Sequence, residues 1–174
     1  MERILVIGCP GSGKTTLAKK LAGKLQLPLV HLDQLGGRGH WEMTPQDEFD
    51  RLLSMELVKP QWIIECNYSR TLPTRLQYCD AVIYMDLPRL TCLFGVLKRV
   101  LKGYGKSRPD MGGYCPERLD FEFLKFVWDF NKQHREEYNR LLNSLSNKKV
   151  LIIQNRRQAE ELLQGETLRY DSIQ

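Results

Sequence analysis

Apolar residues along the chain fall into two alternating kinds of run. Short unbroken runs at residues 3–7, 29–32, 62–64, 81–85 and 150–153 are rich in Val, Ile and Leu. Unbroken rather than alternating runs fit strands buried on both faces. Between them the spacing turns helical. Residues 14–25 carry Leu17, Ala18, Leu21, Ala22 and Leu25 on one face with lysines opposite, and residues 45–58 carry Phe49, Leu52, Leu53 and Leu57. Thr44 as N-cap and Pro45 in the first turn mark the start of the second of these helices. Pro88 opens another helix to about residue 101, a long one spans about 119–145, and a short one covers 157–164. A stretch rich in Gly and Pro, residues 103–116, separates the helix after Pro88 from the long one. Strands that alternate with helices need right-handed crossovers and so form a parallel sheet covered on both faces. The expectation is one three-layer α/β/α domain over residues 1–174, with a five-stranded parallel sheet and inserts at 34–60 and 102–120.

Composition narrows the class. A chain of 174 residues with 42% hydrophobic and 27% charged residues has the size and balance of one globular domain, which excludes disordered and collagen-like readings. No apolar run approaches the ~20 residues of a membrane span, and the N-terminal run is too short for a signal peptide. The cysteines, Cys9, Cys66, Cys79, Cys92 and Cys115, are odd in number, scattered and without a C-x-x-C pair. That pattern argues against a disulfide framework or a zinc site and for a reducing compartment, so a cytoplasmic location is expected. The net charge of +5 is concentrated: residues 89–118 hold seven basic side chains against Asp110 and Glu117, and the rest of the chain is balanced. One basic segment suits a polyanion held at one place, a nucleotide or a nucleic-acid backbone.

The chemistry starts at Gly8-Cys9-Pro10-Gly11-Ser12-Gly13-Lys14-Thr15, which matches G-x-x-x-x-G-K-[ST] and lies between an expected strand and an expected helix. Average residue frequencies give a chance match of about 1% in a chain of this length. In such a loop successive backbone N–H groups form a nest for phosphates, and the helix that follows adds a partial positive charge. Gly8, Pro10, Gly11, Ser12, Gly13, Lys14, Thr15 and Thr16 are therefore the expected nucleotide-binding residues. Lys14, read as an exposed loop charge, reaches the β- and γ-phosphates, and the Thr15 hydroxyl ligates Mg²⁺. Ligands of parallel sheets gather at the carboxyl ends of the strands. Asp33 and Glu65 fall there, and either can hold a water on the metal or accept a proton from an acceptor hydroxyl. His31 reads as a half-buried residue with its bonds satisfied, and Trp41 and Tyr68 as either packing or stacking platforms. Arg99, Arg108 and Arg118 lie in or beside the Gly/Pro-rich break, where a lid would hinge, and Pro109-Asp110 rigidifies the turn that presents Arg108.

This order of elements resembles the adenylate-kinase-like family of small-molecule kinases over nearly the whole chain. Residues 62–71, Trp-Ile-Ile-Glu-Cys-Asn-Tyr-Ser-Arg-Thr, look like the stretch such kinases carry after their third strand, and residues 81–88 look like the strand that leads into their pre-lid helix. A closer resemblance is to the DNA topology modulation proteins (FlaR-related). It rests on His31-Leu32-Asp33, Trp41, Glu65-x-Asn67-Tyr68 and the string from Arg108-Pro109-Asp110-Met111 to Cys115-Pro116-Glu117-Arg118-Leu119. The resemblance implies ATP with Mg²⁺, a lid whose Arg99 and Arg108 close on the phosphates, and Arg156 beside the adenine. It also implies an acceptor site with Asp33, Arg38, Trp41, Tyr68, Arg70 and Arg118, in which Arg70 contacts a phosphate of the acceptor. The expected activity is phosphoryl transfer from ATP to a nucleoside, nucleotide or other small hydroxyl compound, with Lys14, Asp33, Glu65 and Arg108 catalytic. Two alternatives stand beside it: a nucleotide-switched nucleic-acid-binding regulator, for which no helix-turn-helix, zinc-finger or RNA-recognition signature is present, and a simple ATPase. The expected partner is a small-molecule acceptor, with no membrane, in a monomer or weak homodimer.

Overall fold

Strand β1 (Arg3–Gly8) is the axis of the structure, a computed structural model that describes residues 1–165. It runs into α1 (Lys14–Leu25), then β2 (Leu29–His31), the short α2 (Leu32–Gly36) and α3 (Gln46–Leu57). Strand β3 (Trp62–Glu65) follows, then a 3-10 turn (Ser69–Thr71) and α4 (Leu72–Tyr78). The chain continues through β4 (Ala81–Met85), α5 (Arg89–Gly103), α6 (Phe121–Asn143), β5 (Lys149–Ile153) and α7 (Arg156–Gln164). All strands pair in parallel in the order β2-β3-β1-β4-β5. The expected five-stranded sheet is therefore present, and β3 and β4 are buried along their whole length.

The chain leaves β1 toward β2 and later crosses from β3 over β1 to β4, so the winding reverses at β1. Right-handed crossovers then put α1 on one face and α4 and α6 on the other. Tyr84 of β4 meets Tyr138 of α6 edge to face at 5.5 Å, and α7 returns to pack on α1. The register aligns Val6 and His31 with Glu65, and Gly8 with Met85, so the carboxyl ends of β1, β2, β3 and β4 open on one rim. All five cysteines are buried free thiols. Among the described residues no helix is long and apolar enough to cross a membrane.

Helices α2 and α4 do not stand out in the hydrophobic pattern, and α3 starts one residue late. Five residues cannot display a helical period. Seven residues whose buried face includes Arg75, 0% exposed, read as polar where the fold is in fact closed. The cap of α3 is Pro45 rather than Thr44, because the Pro45 carbonyl already accepts the Phe49 amide at 2.9 Å while the Thr44 amide is bonded to Gly36.

Candidate active site

The turn between β1 and α1 is wound tightly on itself. Ser12 N–H donates to the Cys9 carbonyl at 3.2 Å, and Lys14 Nζ donates to the same oxygen at 3.0 Å. Lys14 is thus a buried cation, 8% exposed, rather than the exposed loop charge expected, because the ammonium folds back over its own loop. Gly13, at φ 99°, ends the turn as the N-cap of α1, and no side chain caps that helix. By contrast α6 and α7 are capped by Asp120 and Asn155. The first N–H groups of α1 therefore have no side chain competing for the place an anion takes. Ser12 Oγ, buried beside them, has no hydrogen-bond partner among the described residues. Gly8 does not join this nest: its N–H is taken by Asn67 Oδ1 at 3.2 Å. The far side of the loop rests on α5, where Gly11 and Gly95 meet backbone to backbone. A Cβ on Gly95 would lie 2.1 Å from the Gly11 carbonyl oxygen.

Glu65 stands next to this loop because β3 is the direct neighbour of β1. Its Oε1 accepts the Thr15 hydroxyl at 3.0 Å and lies 2.9 Å from His31 Nδ1. Burial pushes the Glu65 carboxyl up, but the His31 hydrogen bond and the Lys14 charge, with His31's charge and Thr15, outweigh it and hold it below the usual carboxylate range. His31 is accordingly a buried residue with its bond made, close to the reading from sequence. Asp33, on the first turn of α2, takes the opposite sign. Burial raises its carboxyl, and the Cys66 thiol, which donates to Oδ1 at 3.2 Å, offsets this only in part together with Arg108. One cavity holds two carboxylates tuned apart.

Residues 104–120 fold over this rim as an irregular hairpin closed by Gly105–Glu117 and Arg108–Cys115 backbone bonds. It brings Arg108 to Asp110, to Glu117 at 3.3 Å and to Asp33 at 4.0 Å, while Arg99 of α5 reaches Glu117 at 2.7 Å. The hairpin sits on the segment after α2. Gly112 N–H donates to the Asp33 carbonyl, Gln34 to the Pro109 carbonyl and His40 N–H to the Tyr114 carbonyl. Gly37 pairs with Met43, and the turn between them holds both His40 and Trp41 at positive φ, 50° and 65°.

A cavity of about 620 Å³ results, into which Lys14, Thr15, Asp33, Glu65, Arg99 and Arg108 face, with Trp41 and Tyr68 among its flat walls. Pro10, Gly11, Gly13 and Thr16 also border it. A second cavity of about 350 Å³ lies past the loop, between α1, α5 and α7, and meets Ser12, Gly13, Thr16 and Arg156. Three expected acceptor residues are not brought in. Arg38 is paired with Glu48, Arg70 with Asp50 at 2.7 and 2.9 Å, and Arg118 with Asp120, each on the surface, since an acidic neighbour lies within reach of every one. Arg118 does not line the cavity, although its guanidinium lies 5.4 Å from the Trp41 ring centre.

Several partners escape sequence reasoning. Asn67 and Cys66 act on Gly8 and Asp33 across the fold. Arg75, beneath them, donates to the Tyr68 carbonyl and has Nε and Nη1 unpartnered among the described residues. Met43, Met111, Phe123 and Phe126 complete the apolar wall. Asp86, a third carboxylate at a strand end, is consumed by Arg135 of α6 at 2.7 Å.

An uncapped helix behind a glycine turn, with a lysine and a Thr–Glu pair at its mouth, is a P-loop, and the sheet around it is a P-loop kinase fold. Residues 4–61, from within β1 to the residue before β3, match the family described as ATPase family associated with various cellular activities (AAA). The whole fold is similar to the crystal structure of shikimate kinase from Bacteroides thetaiotaomicron, with a TM-score of 0.53 over 94% of this chain and 95% of that one. Sequence identity is 18%, so the likeness is one of fold. No curated protein sequence matches the chain.

Proposed function

We propose that the chain is an ATP-dependent kinase of the adenylate-kinase-like kind that moves the γ-phosphoryl group to the hydroxyl of a small metabolite. One observation carries this: a single cavity receives the phosphate-side groups Lys14 and Thr15, the carboxylates Asp33 and Glu65, and the arginines Arg99 and Arg108. The same cavity extends past these groups to the aromatic walls of Trp41 and Tyr68, room that an acceptor takes and that a lone water does not require. In this reading the P-loop amides and Lys14 bind the triphosphate, and the cavity beside Arg156 takes the base. Residues 34–60 form the acceptor insert and 102–120 the lid, with Arg99 and Arg108 neutralising charge on the transferring group.

The donor set fits Mg²⁺. Thr15 Oγ1 and the ionised Glu65 offer hard oxygens, and among the described residues no cluster of three His, Cys, Asp or Glu forms a protein-only cage. That suits an ion bound through one or two protein oxygens, phosphates and water. Such an ion supplies charge neutralisation on the phosphate oxygens. Glu65, held ionised, belongs on that side. Asp33, raised by burial, is the better proton acceptor and takes the proton of the acceptor hydroxyl.

The test is ATP consumption and ADP release over a panel of nucleosides, nucleoside monophosphates, sugars and hydroxy acids, for the native protein and Lys14→Ala. At least one acceptor should stimulate turnover, and Lys14→Ala should lower it by about 10²–10³-fold, the usual effect of removing one donor from a preorganised site. Undiminished transfer by Lys14→Ala rejects the proposal.

A further inference from the structure

We propose that the acceptor is nucleoside-like: a flat, uncharged ring system bearing a hydroxyl, and not a phosphate or carboxylate anion. This rests on the kinase reading above and narrows its acceptor.

Charge placement carries the inference. Arg38, Arg70 and Arg118, the arginines nearest the acceptor side in sequence, are spent on Glu48, Asp50 and Asp120 outside the cavity. Two arginines do face inward, Arg99 and Arg108, but three carboxylates surround them: Glu117 contacts both, Asp110 holds Arg108, and Asp33 lies 4.0 Å away. Among the described residues that line the cavity the cations are Lys14, Arg99 and Arg108, and an incoming triphosphate draws on all three. An anion placed beside Asp33 would face a half-buried carboxylate, where like charges repel more than in open water. A hydroxyl placed there finds an oxygen to receive its proton.

The walls specify the rest. Trp41 sits with His40 in a turn where both have positive φ, a conformation that hairpins normally give to Asn-Gly and that costs a bulky L-residue free energy. That strain is retained at the position that sends an indole to the cavity. Tyr68 stands on another wall, its ring 4.9 Å from Phe49 and its hydroxyl so close to Gly36 that a Cβ there would lie 2.1 Å away. Aromatic faces of this kind hold nucleobases by stacking, without a charge. In the transfer, the acceptor oxygen bonds to the γ-phosphorus as the bond from that phosphorus to the β–γ bridging oxygen breaks. The hydroxyl proton goes to Asp33, and ADP leaves with the electron pair of the broken bond.

Calorimetry on the full chain with Mg·AMP-PNP present tests this, using the four ribonucleosides, their 5′-monophosphates and shikimate as probes. At least one nucleoside should bind about tenfold or more tighter than its own monophosphate. Asp33→Asn should narrow that ratio. Trp41→Ala should weaken the nucleoside about tenfold or more while leaving the affinity for AMP-PNP unchanged. Should Asp33→Asn fail to fold, the Trp41 variant, changed on an outer hairpin, still decides the matter. A monophosphate or shikimate that binds tighter than every nucleoside overturns the inference, as does AMP-PNP binding with no nucleoside binding at all. No heat with AMP-PNP itself is a different failure, which removes the kinase reading and this inference with it.

Discussion

Asp33 and Glu65 share one cavity yet depend on pH in opposite ways. Glu65's carboxyl lies below its ordinary range in the folded chain, because the bond to His31 and the Lys14 ammonium outweigh burial. Its ionised form therefore stabilises the fold above the ordinary carboxylate range, and that stabilisation is lost as pH falls through the lowered folded value. Asp33's carboxyl is raised, chiefly by burial, so ionising it costs stability. The cost is absent below the unfolded value and fully present once pH exceeds the raised one. At neutral pH, Asp33→Asn should raise the melting temperature and Glu65→Gln should lower it. Both differences should shrink on acidification in thermal melts followed by circular dichroism, the Asp33 difference as pH falls through the ordinary carboxylate range and the Glu65 difference only as pH falls through its lowered folded value. Asp33→Asn should lose phosphoryl transfer while gaining stability, the trade expected where a site is strained for function. A lower melting temperature for Asp33→Asn at neutral pH would show that the Cys66 hydrogen bond, and not burial, dominates at this carboxylate.

At the scale of elements, the P-loop depends on α5 for its shape as much as on its own glycines. Gly11 and Gly95 touch through their backbones, so a helix supplies the floor against which the phosphate nest is pressed. Alanine inside an exposed helix ordinarily stabilises it by about 0.5–1 kcal/mol over glycine. Gly23 of α1 meets that ordinary case, since a Cβ there has nothing within 4 Å, and Gly23→Ala should gain roughly that amount in urea unfolding. Gly95→Ala should do the reverse, losing about 1–3 kcal/mol as α5 is forced away from the loop carbonyl. It should also weaken nucleotide binding, and equal stabilisation by the two substitutions would disprove the close contact. The G-x-x-x-x-G-K-T string was readable as a phosphate loop because its requirements are local. The partnership with Gly95 was not readable, because residues 11 and 95 meet only after four strands have been assembled.

For the molecule as a whole, the basic segment 89–118 changes meaning once it is folded. In sequence it is an excess of positive charge that suits a nucleic-acid backbone. In the structure Arg99 and Arg108 turn inward to Glu117, Asp110 and Asp33, Arg118 pairs with Asp120, and Arg89 lies 4.2 Å from the Trp128 ring centre. Lys98, Lys102 and Lys106 remain exposed. Neutralising three phosphates gives a salt slope no steeper than about −3 in a plot of log affinity against log salt. Duplex DNA titrated between about 50 and 200 mM salt should show that shallow slope and little binding at the upper end. A slope twice as steep, with micromolar affinity retained, would favour a nucleic-acid partner instead.

The hydrophobic pattern by itself determined the layered sheet, since strands buried on both faces must be written as unbroken apolar runs. The phosphate loop was equally legible, being eight consecutive residues whose glycines permit its positive-φ turn, although the floor it rests on was not. Asp33 and Glu65 were legible as carboxylates at strand ends, but their division of labour was not. It depends on Cys66, His31 and Thr15, which lie up to fifty positions away in sequence and at hydrogen-bond distance in space. Nor did the chain order reveal that Arg38, Arg70 and Arg118 face surface acids rather than the cavity. Backbone geometry is set by neighbours along the chain, whereas the partner of a long charged side chain is set by whichever opposite charge the finished fold leaves within reach.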